Sequence, residues 1–368
     1  MKTNLRLIVY LSILLSFSLI FAACSGQPMG SSNSGGTSGG GDGGDVRLVG
    51  SGASFPKPIY EKWVSEFGKV NKTAKIDYQS TGSSAGIKAV QQQTADFGAS
   101  DAPMNDDELK AAQGGDLLHI PTVLGAVVVT YNVEGLSAPL RLSPQTVVDI
   151  FLGKVKKWND EKIKADNQGV NLPDKDITVV YRSDGSGTTN VFNNYLGKVS
   201  PDWTAKGQNM TLPQGVGIGA QRNDGVMGQV KQTPNTIGYV ELTFAKANNL
   251  PVAVLKNSAG NFVEANIETV TAAAADSAAK TPDDLRVDIT NAAGANAYPI
   301  ASYTYILAYK DQKDAVKGKL LADFLWWATH DGQSFAKDLH YAPLPAEIVA
   351  KVETRLKMMT NAGQPLRK

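Results

Sequence analysis

Between Ile177 and Leu196 the chain changes periodicity around a fixed point. A β-rich run, Ile177-Thr178-Val179-Val180-Tyr181, leads in, and an apolar helical pattern at Val191, Phe192, Tyr195 and Leu196 leads out. Between them lies Arg182-Ser183-Asp184-Gly185-Ser186-Gly187-Thr188-Thr189. A strand that passes through Gly, Ser and Thr straight into a helix is a building unit of an α/β fold. The junction also collects unpaired backbone N–H groups, hydroxyls and the positive end of a helix dipole at one point, which favours an anion. Arg182 adds a planar fork of donors suited to a tetrahedral oxyanion. Asp184, two residues on, is placed to brace that guanidinium.

The same pattern recurs upstream. Val46 to Val49 reads as a strand ending at Gly50-Ser51-Gly52-Ala53-Ser54-Phe55-Pro56, followed by a helix with Ile59, Trp63 and Phe67 on one face. Pro56 and Pro58 fit its first turn, where a missing N–H costs little. A second strand, Ile76 to Gln79, ends at Ser80-Thr81-Gly82-Ser83-Ser84-Ala85-Gly86 and opens a helix carrying Ile87 and Val90. A third, Ala95 to Ala99, ends at Ser100-Asp101-Ala102-Pro103. A strand at Val123 to Tyr131 precedes a helix from Ser143-Pro144 with Val147, Ile150 and Phe151 inside. Ile300 to Tyr309 is another strand, and helices follow at Lys317 to His330 and Pro345 to Met359. In open α/β sheets ligands bind beyond the carboxyl ends of strands, where this chain repeatedly places small hydroxylic or acidic residues.

The N-terminus stands apart. Lys2 and Arg6 precede an apolar run from Leu7 to Ile20, and Phe21-Ala22-Ala23 leads to Cys24, the one cysteine of the chain. Residues 1–23 therefore read as a signal peptide, and Cys24, at the cleavage point, resembles the acylated cysteine of a bacterial lipoprotein lipobox. A lone cysteine excludes an internal disulfide and a Cys-cluster metal site. Residues 24–45 are dominated by Gly, Ser and other small polar residues; such a segment buries too little to offset its ordering entropy and reads as a tether with a reach of roughly 25 Å. No later apolar run is long enough to span a bilayer. Beyond residue 23 there are 34 Lys+Arg against 35 Asp+Glu, so no basic excess points to nucleic acid, and an anion would have to be held by local dipoles.

Each candidate has a plain structural alternative. Ser54 and Ser83 could simply cap helices, and an exposed Arg182–Asp184 pair would contribute little. Asp101 could serve a turn before Pro103. As an anion-site residue it has a specific meaning: a carboxylate repels an anion unless that anion brings a proton to donate. Phosphate keeps a proton near neutral pH and sulfate does not, so an Asp acceptor admits the first and penalises the second. Gly82-Ser83-Ser84-Ala85-Gly86 also matches a nucleophile elbow, which would make Ser84 a hydrolase nucleophile with His119, His330 or His340 as base. His119 falls in an expected loop ahead of Pro121, and no HGGG-type oxyanion segment occurs. No P-loop is present, and three scattered histidines give no metal-ligand spacing.

Taken together, Gly50 to Pro56, Gly82 to Gly86, Asp96 to Pro103, Phe151 to Trp158, Arg182 to Thr188 and Ile237 to Glu241 make the chain resemble the phosphate-binding proteins of high-affinity phosphate ABC transporters (the PstS family). The resemblance implies a two-lobe α/β periplasmic-binding-protein fold, type II-like, with an inter-lobe cleft. One lobe would comprise residues 46–123 with 299–368, the other 124–298. It further implies phosphate held by Ser54, the Phe55 amide, Ser83, Asp101, Arg182, Ser186, Gly187 and Thr188, with Asp184 orienting Arg182. No catalytic residue, cofactor or metal is implied. The partners would be inorganic phosphate, ABC permease and ATPase subunits, and a membrane reached through lipid on Cys24. The protein would be an extracytoplasmic monomer that binds no nucleic acid. The rival expectations are a binder of another oxyanion and a secreted serine hydrolase or phosphatase using Ser84.

Overall fold

The computed structural model describes residues 44–136 and 138–367. The signal-peptide segment, Cys24 and nearly all of the tether lie outside them. The first part runs β1 (Val46–Gly52), α1 (Lys57–Val70), β2 (Ala74–Ser80), α2 (Ser83–Gln91), β3 (Phe97–Ser100) and α3 (Asp106–Lys110). A long strand, β4 (Leu117–Asn132), leads to β5 (Arg141–Leu142), α4 (Pro144–Phe151), α5 (Glu161–Asp166), β6 (Thr178–Arg182) and α6 (Gly187–Val199). Then come β7 (Ile218–Ala220), α7 (Arg222–Gln232), β8 (Thr236–Glu241), α8 (Leu242–Ala247), β9 (Val254–Lys256), β10 (Phe262–Val263) and α9 (Ile267–Ala278). The chain closes with β11 (Ala301–Tyr309), α10 (Ala315–Thr329), α11 (Ala346–Lys357), β12 (Thr360–Asn361) and β13 (Gln364–Pro365).

Eight strands form one mixed sheet in the order β2-β1-β3-β11-β4-β8-β6-β7. Its centre is β4, which changes partner along its length. Residues up to Ala126 pair antiparallel with β11, and those from Val127 to Asn132 pair antiparallel with β8. Two α/β lobes therefore grow from opposite ends of one strand. On one side β1 pairs parallel with β2 and β3; on the other β6 pairs parallel with β8 and β7. The antiparallel pair at the centre of the sheet, β4 and β11, is buried along almost its whole length.

The expected helices form for the expected reasons. α1 is capped at Pro56, accepts Pro58 in its first turn, and buries Ile59, Tyr60, Trp63 and Phe67 in the core. α4 starts at Ser143 with Pro144 and buries Val147, Ile150 and Phe151. One expectation fails: the segment around His119 is strand, not loop. Pro121 lacks the N–H that a central strand must donate. The ladder absorbs this with a register shift at Thr304/Tyr305, where Thr304 pairs with Val123 and Tyr305 with Pro121. Thr122 is the extra residue, and its hydroxyl donates to the Thr304 carbonyl at 3.1 Å and lies 2.8 Å from the Tyr60 hydroxyl. His119 is buried there and accepts from the Met104 N–H at 2.9 Å through Nε2. Burial pushes its pKa down to about 3, the state of a structural imidazole.

Candidate functional site

The carboxyl ends of β1, β2 and β3 deliver Ser54, Ser83 and Asp101 to the crevice beside β4. The end of β6 delivers Arg182 from the other side, and Ser186, Gly187 and Thr188 open α6 there. All of these residues are buried, as is Phe55. The two sides touch. Thr188 Oγ1 donates to Asp101 Oδ2 at 3.2 Å, while Thr304 Oγ1 on β11 donates to Asp101 Oδ1 at 2.9 Å. A methyl group built on Gly187 would lie 2.6 Å from Ser83 Oγ and 2.7 Å from both Asp101 Cβ and Asp101 N. Only a residue without a side chain lets the start of α6 sit this close to the opposite wall. Ser84 N–H donates to the Gly185 carbonyl at 3.1 Å, which ties α2 to the turn before α6.

The helix start is built locally. Ser186 caps α6, its hydroxyl oxygen accepting from Thr189 N–H at 3.0 Å. The first-turn N–H groups of a helix have no intrahelical acceptor. One of them, Thr188 N–H, lies close enough to the Asp101 carboxyl to pull its pKa down. Two side-chain atoms of these residues, Arg182 Nη1 and Ser83 Oγ, are buried with no hydrogen-bond partner among the described residues. A buried donor left unsatisfied is costly, so a site lined with them calls for an acceptor-rich ligand.

Arg182 is held rigidly. Asp184 grips it with two parallel bonds, Nε to Oδ1 at 2.7 Å and Nη2 to Oδ2 at 2.6 Å, and Arg222 N–H adds a third bond to Oδ1 at 3.0 Å. Burial pushes the Asp184 carboxyl up, but the hydrogen bond and charge of Arg182, with the Arg222 N–H, outweigh it and hold the carboxyl below its ordinary range. This is not the exposed pair that the sequence left open: the Arg182 side chain is 1% exposed. Asp101 behaves oppositely. Burial pushes it up to about 7, against the lowering pull of Thr304, Arg182 and Thr188. A carboxyl that changes protonation near neutral pH can serve as acceptor or donor, as its neighbours require.

Four contributors escaped the sequence. Thr304 lies inside a continuous apolar strand, where a lone Thr carries no signal. Asn223 starts α7, a mostly polar helix preceded by a strand of only three residues, so no periodicity marks its position. Its N–H and Nδ2 both donate to Ser54 Oγ at 3.0 Å. Tyr239 supports the back of Arg182, its hydroxyl accepting from Arg182 N–H at 3.2 Å. Glu241, fully buried, accepts from Thr243 N–H at 2.9 Å and lies 3.2 Å from the Tyr341 hydroxyl, which donates to the Phe55 carbonyl at 2.6 Å. Its pKa is pushed well above the ordinary carboxylate value by burial.

The Ser84 elbow is not a catalytic arrangement. Ser84 Oγ donates to Gln208 Oε1 at 2.8 Å. Among the described residues no histidine bonds to it: His119 serves Met104, His330 lies between Trp326 and Glu353, and His340 is exposed. Among the described residues no cluster of three or more His, Cys, Asp or Glu side chains could hold a metal ion, and no helix is long and apolar enough to cross a membrane.

The profile of the PBP superfamily domain matches residues 31–331. The chain is 41% identical over 310 residues to the phosphate-binding protein PstS of Xylella fastidiosa, covering 84% of each chain. It is 42% identical over 312 residues to the phosphate-binding protein PstS of Pasteurella multocida, covering 84% of this chain and 90% of that one. A solved phosphate-binding protein from Stenotrophomonas maltophilia shares the fold, with a TM-score of 0.64 and 23% identity over 87% of this chain and 96% of that one.

Proposed function

Because the chain belongs to the PBP superfamily and, within it, to the PstS family of phosphate-binding proteins, we propose that it is the substrate-binding protein of a phosphate importer. It works outside the cytoplasm, takes up inorganic phosphate, and delivers it to an ABC permease driven by a separate ATPase. It is a carrier and not an enzyme. The residues proposed to hold phosphate are Ser54, the Phe55 amide, Ser83, Asp101, Arg182, Ser186, Gly187 and Thr188, with Asp184 orienting Arg182. The lobes are proposed to comprise residues 46–123 with 299–368, and 124–298; the change of partner along β4 just past this boundary supports the division. Lipid on Cys24 would hold the protein, as a monomer, at its membrane.

The observation that carries this reading is one carboxyl, Asp101, set among donors in a buried crevice. Arg182 and the α6 start attract an anion, and Asp101, when ionised with Thr188 and Thr304 donating to it, demands that the anion bring a proton. Phosphate meets both conditions near neutral pH; sulfate meets the first alone. Affinity then comes from preorganised donors, several of them neutral, and closure removes water from around them.

Titration calorimetry on protein freed of endogenous phosphate tests this directly. Tight phosphate binding with no sulfate response is expected, and equal binding of both anions overturns the selectivity argument. Asp101→Asn is expected to weaken phosphate at least about tenfold and to make sulfate binding measurable, since a charge-assisted hydrogen bond is lost and a penalty on sulfate removed. Unchanged phosphate affinity in that variant would show that Asp101 accepts no ligand proton.

A further inference from the structure

Both N–H groups and the oxygen of the Asn223 amide have partners, and that assignment has a direction. Its Oδ1 accepts from Glu241 N–H at 2.9 Å. A backbone N–H can only donate, so the amide cannot be flipped: the oxygen faces Glu241 and the NH2 group faces the crevice. One Nδ2 hydrogen then goes to Ser54 Oγ at 3.0 Å and the other to Thr188 Oγ1 at 3.1 Å. Asn223 N–H also donates to Ser54 Oγ at 3.0 Å. Asn223 is fully buried, so water does not compete for these bonds.

A hydroxyl has one proton to give and two lone pairs to fill. Both lone pairs of Ser54 are taken by Asn223, and its hydroxyl donates to no acceptor among the described residues. Thr188 Oγ1 accepts from Asn223 and passes its own proton to Asp101 Oδ2 at 3.2 Å. Asn223, through its side-chain amide and its own N–H, thus leaves Ser54 able only to donate into the crevice, and the amide adds a donated bond that keeps Asp101 an acceptor.

We infer that Asn223 is a positioning residue that sets the hydrogen-bond polarity of the phosphate site, making Ser54 a donor and Asp101 an acceptor. The inference rests on the phosphate reading above and deepens it. It names the group that keeps donors and acceptor in the arrangement a singly protonated oxyanion requires. Asn223 lies at the start of α7 in one lobe and Ser54 follows β1 in the other, so this polarity is set where the lobes meet.

A double-mutant cycle on full-length protein, read by phosphate calorimetry, tests it. Asn223→Leu keeps the side-chain shape and removes the amide; about a tenfold or greater loss of phosphate affinity is expected. Ser54→Ala should lose a similar amount. If Asn223 acts through Ser54, the double variant binds only slightly more weakly than the worse single variant. Losses that multiply overturn the inference, as does an unaffected Asn223→Leu.

Asn223→Asp is the second variant and guards against a folding failure of the first. An ionised carboxylate has no proton to give and draws the Ser54 and Thr188 protons toward itself; a protonated one regains a donor. The ratio of its phosphate affinity to that of the parent is therefore expected to recover as pH falls from 8 to 5, whereas simple structural damage gives a flat ratio. The titratable groups linked to this position are Asp101 through Thr188, Glu241 through its N–H, the Arg182–Asp184 pair through Arg222, and Asp224, next in the chain. All are present in both proteins and cancel to first order in the ratio. Failure of the parent itself to bind phosphate would remove the functional reading, a result distinct from a parent that binds and variants that do not differ.

Discussion

At the scale of single residues, the two aspartates of the crevice have opposite signs in the pH dependence of stability. The folded pKa of Asp101 stands above its ordinary value, near 7, so the crevice with its walls in contact retains a proton there that the unfolded chain releases. Its stabilising share is complete at pH below about 4 and is lost as pH rises through about 7, an effect of up to about 4 kcal/mol. Glu241, raised for the same reason, acts in the same direction. Melting is therefore expected to shift to lower temperature between pH 4 and 7 to the extent that the walls meet without phosphate, and Asp101→Asn to flatten part of that slope. Asp184 contributes above its ordinary range and loses that share as pH falls. Its replacement by Asn sets two effects against each other: Arg182 loses its brace, but a negative charge leaves the neighbourhood of the anion. Phosphate affinity should then change by less than about tenfold, which calorimetry on Asp184→Asn can check. Arg182, Ser186 and Thr188 were legible because their spacing sits between a strand pattern and a helix pattern. Asn223 and Thr304 were not, because hydrogen-bonding partners brought close by tertiary folding leave no local signature.

At the scale of elements, two glycines show how differently helices are seated. Gly187 opens α6 against the opposite wall, with Ser83 Oγ and Asp101 in its way. Gly187→Ala is expected to leave each lobe folded but to hinder closure, lowering phosphate affinity about 10- to 100-fold with little change in ligand-free melting. Gly86 lies within α2, where an added methyl would meet Gly52 Cα at 2.5 Å and the Ser51 carbonyl at 2.6 Å. Those atoms belong to β1 of the same lobe, so Gly86→Ala should cost about 1–3 kcal/mol of folding stability, measured by denaturant unfolding. Most elements near the crevice were readable: apolar runs gave β1, β2, β3 and β6, and i, i+4 spacing gave α1 and α6. The course of β4 was less so, since Pro121 argues locally for a break and only the bulge against β11 accommodates it. α7 buries only Asn223, Val226 and Val230, too sparse a stripe to stand out.

At the scale of the molecule, ligand and fold are linked. Phosphate at about a thousand times its dissociation constant should add about 4 kcal/mol to stability, raising the melting temperature, and sulfate at the same concentration should do nothing. X-ray scattering should show a smaller radius of gyration with phosphate than without, as hinged lobes close on their ligand. The two-lobe outline followed from family resemblance, not from periodicity, because a strand shared by two lobes looks in sequence like any other buried strand. That sharing bears on how the chain can be divided. With β4 supplying backbone partners to β11 at one end and to β8 at the other, neither half owns a finished sheet. Severing the gene on either side of this ribbon leaves one fragment with a bare edge, prone to aggregate when expressed alone and soluble only when its complement is made alongside it.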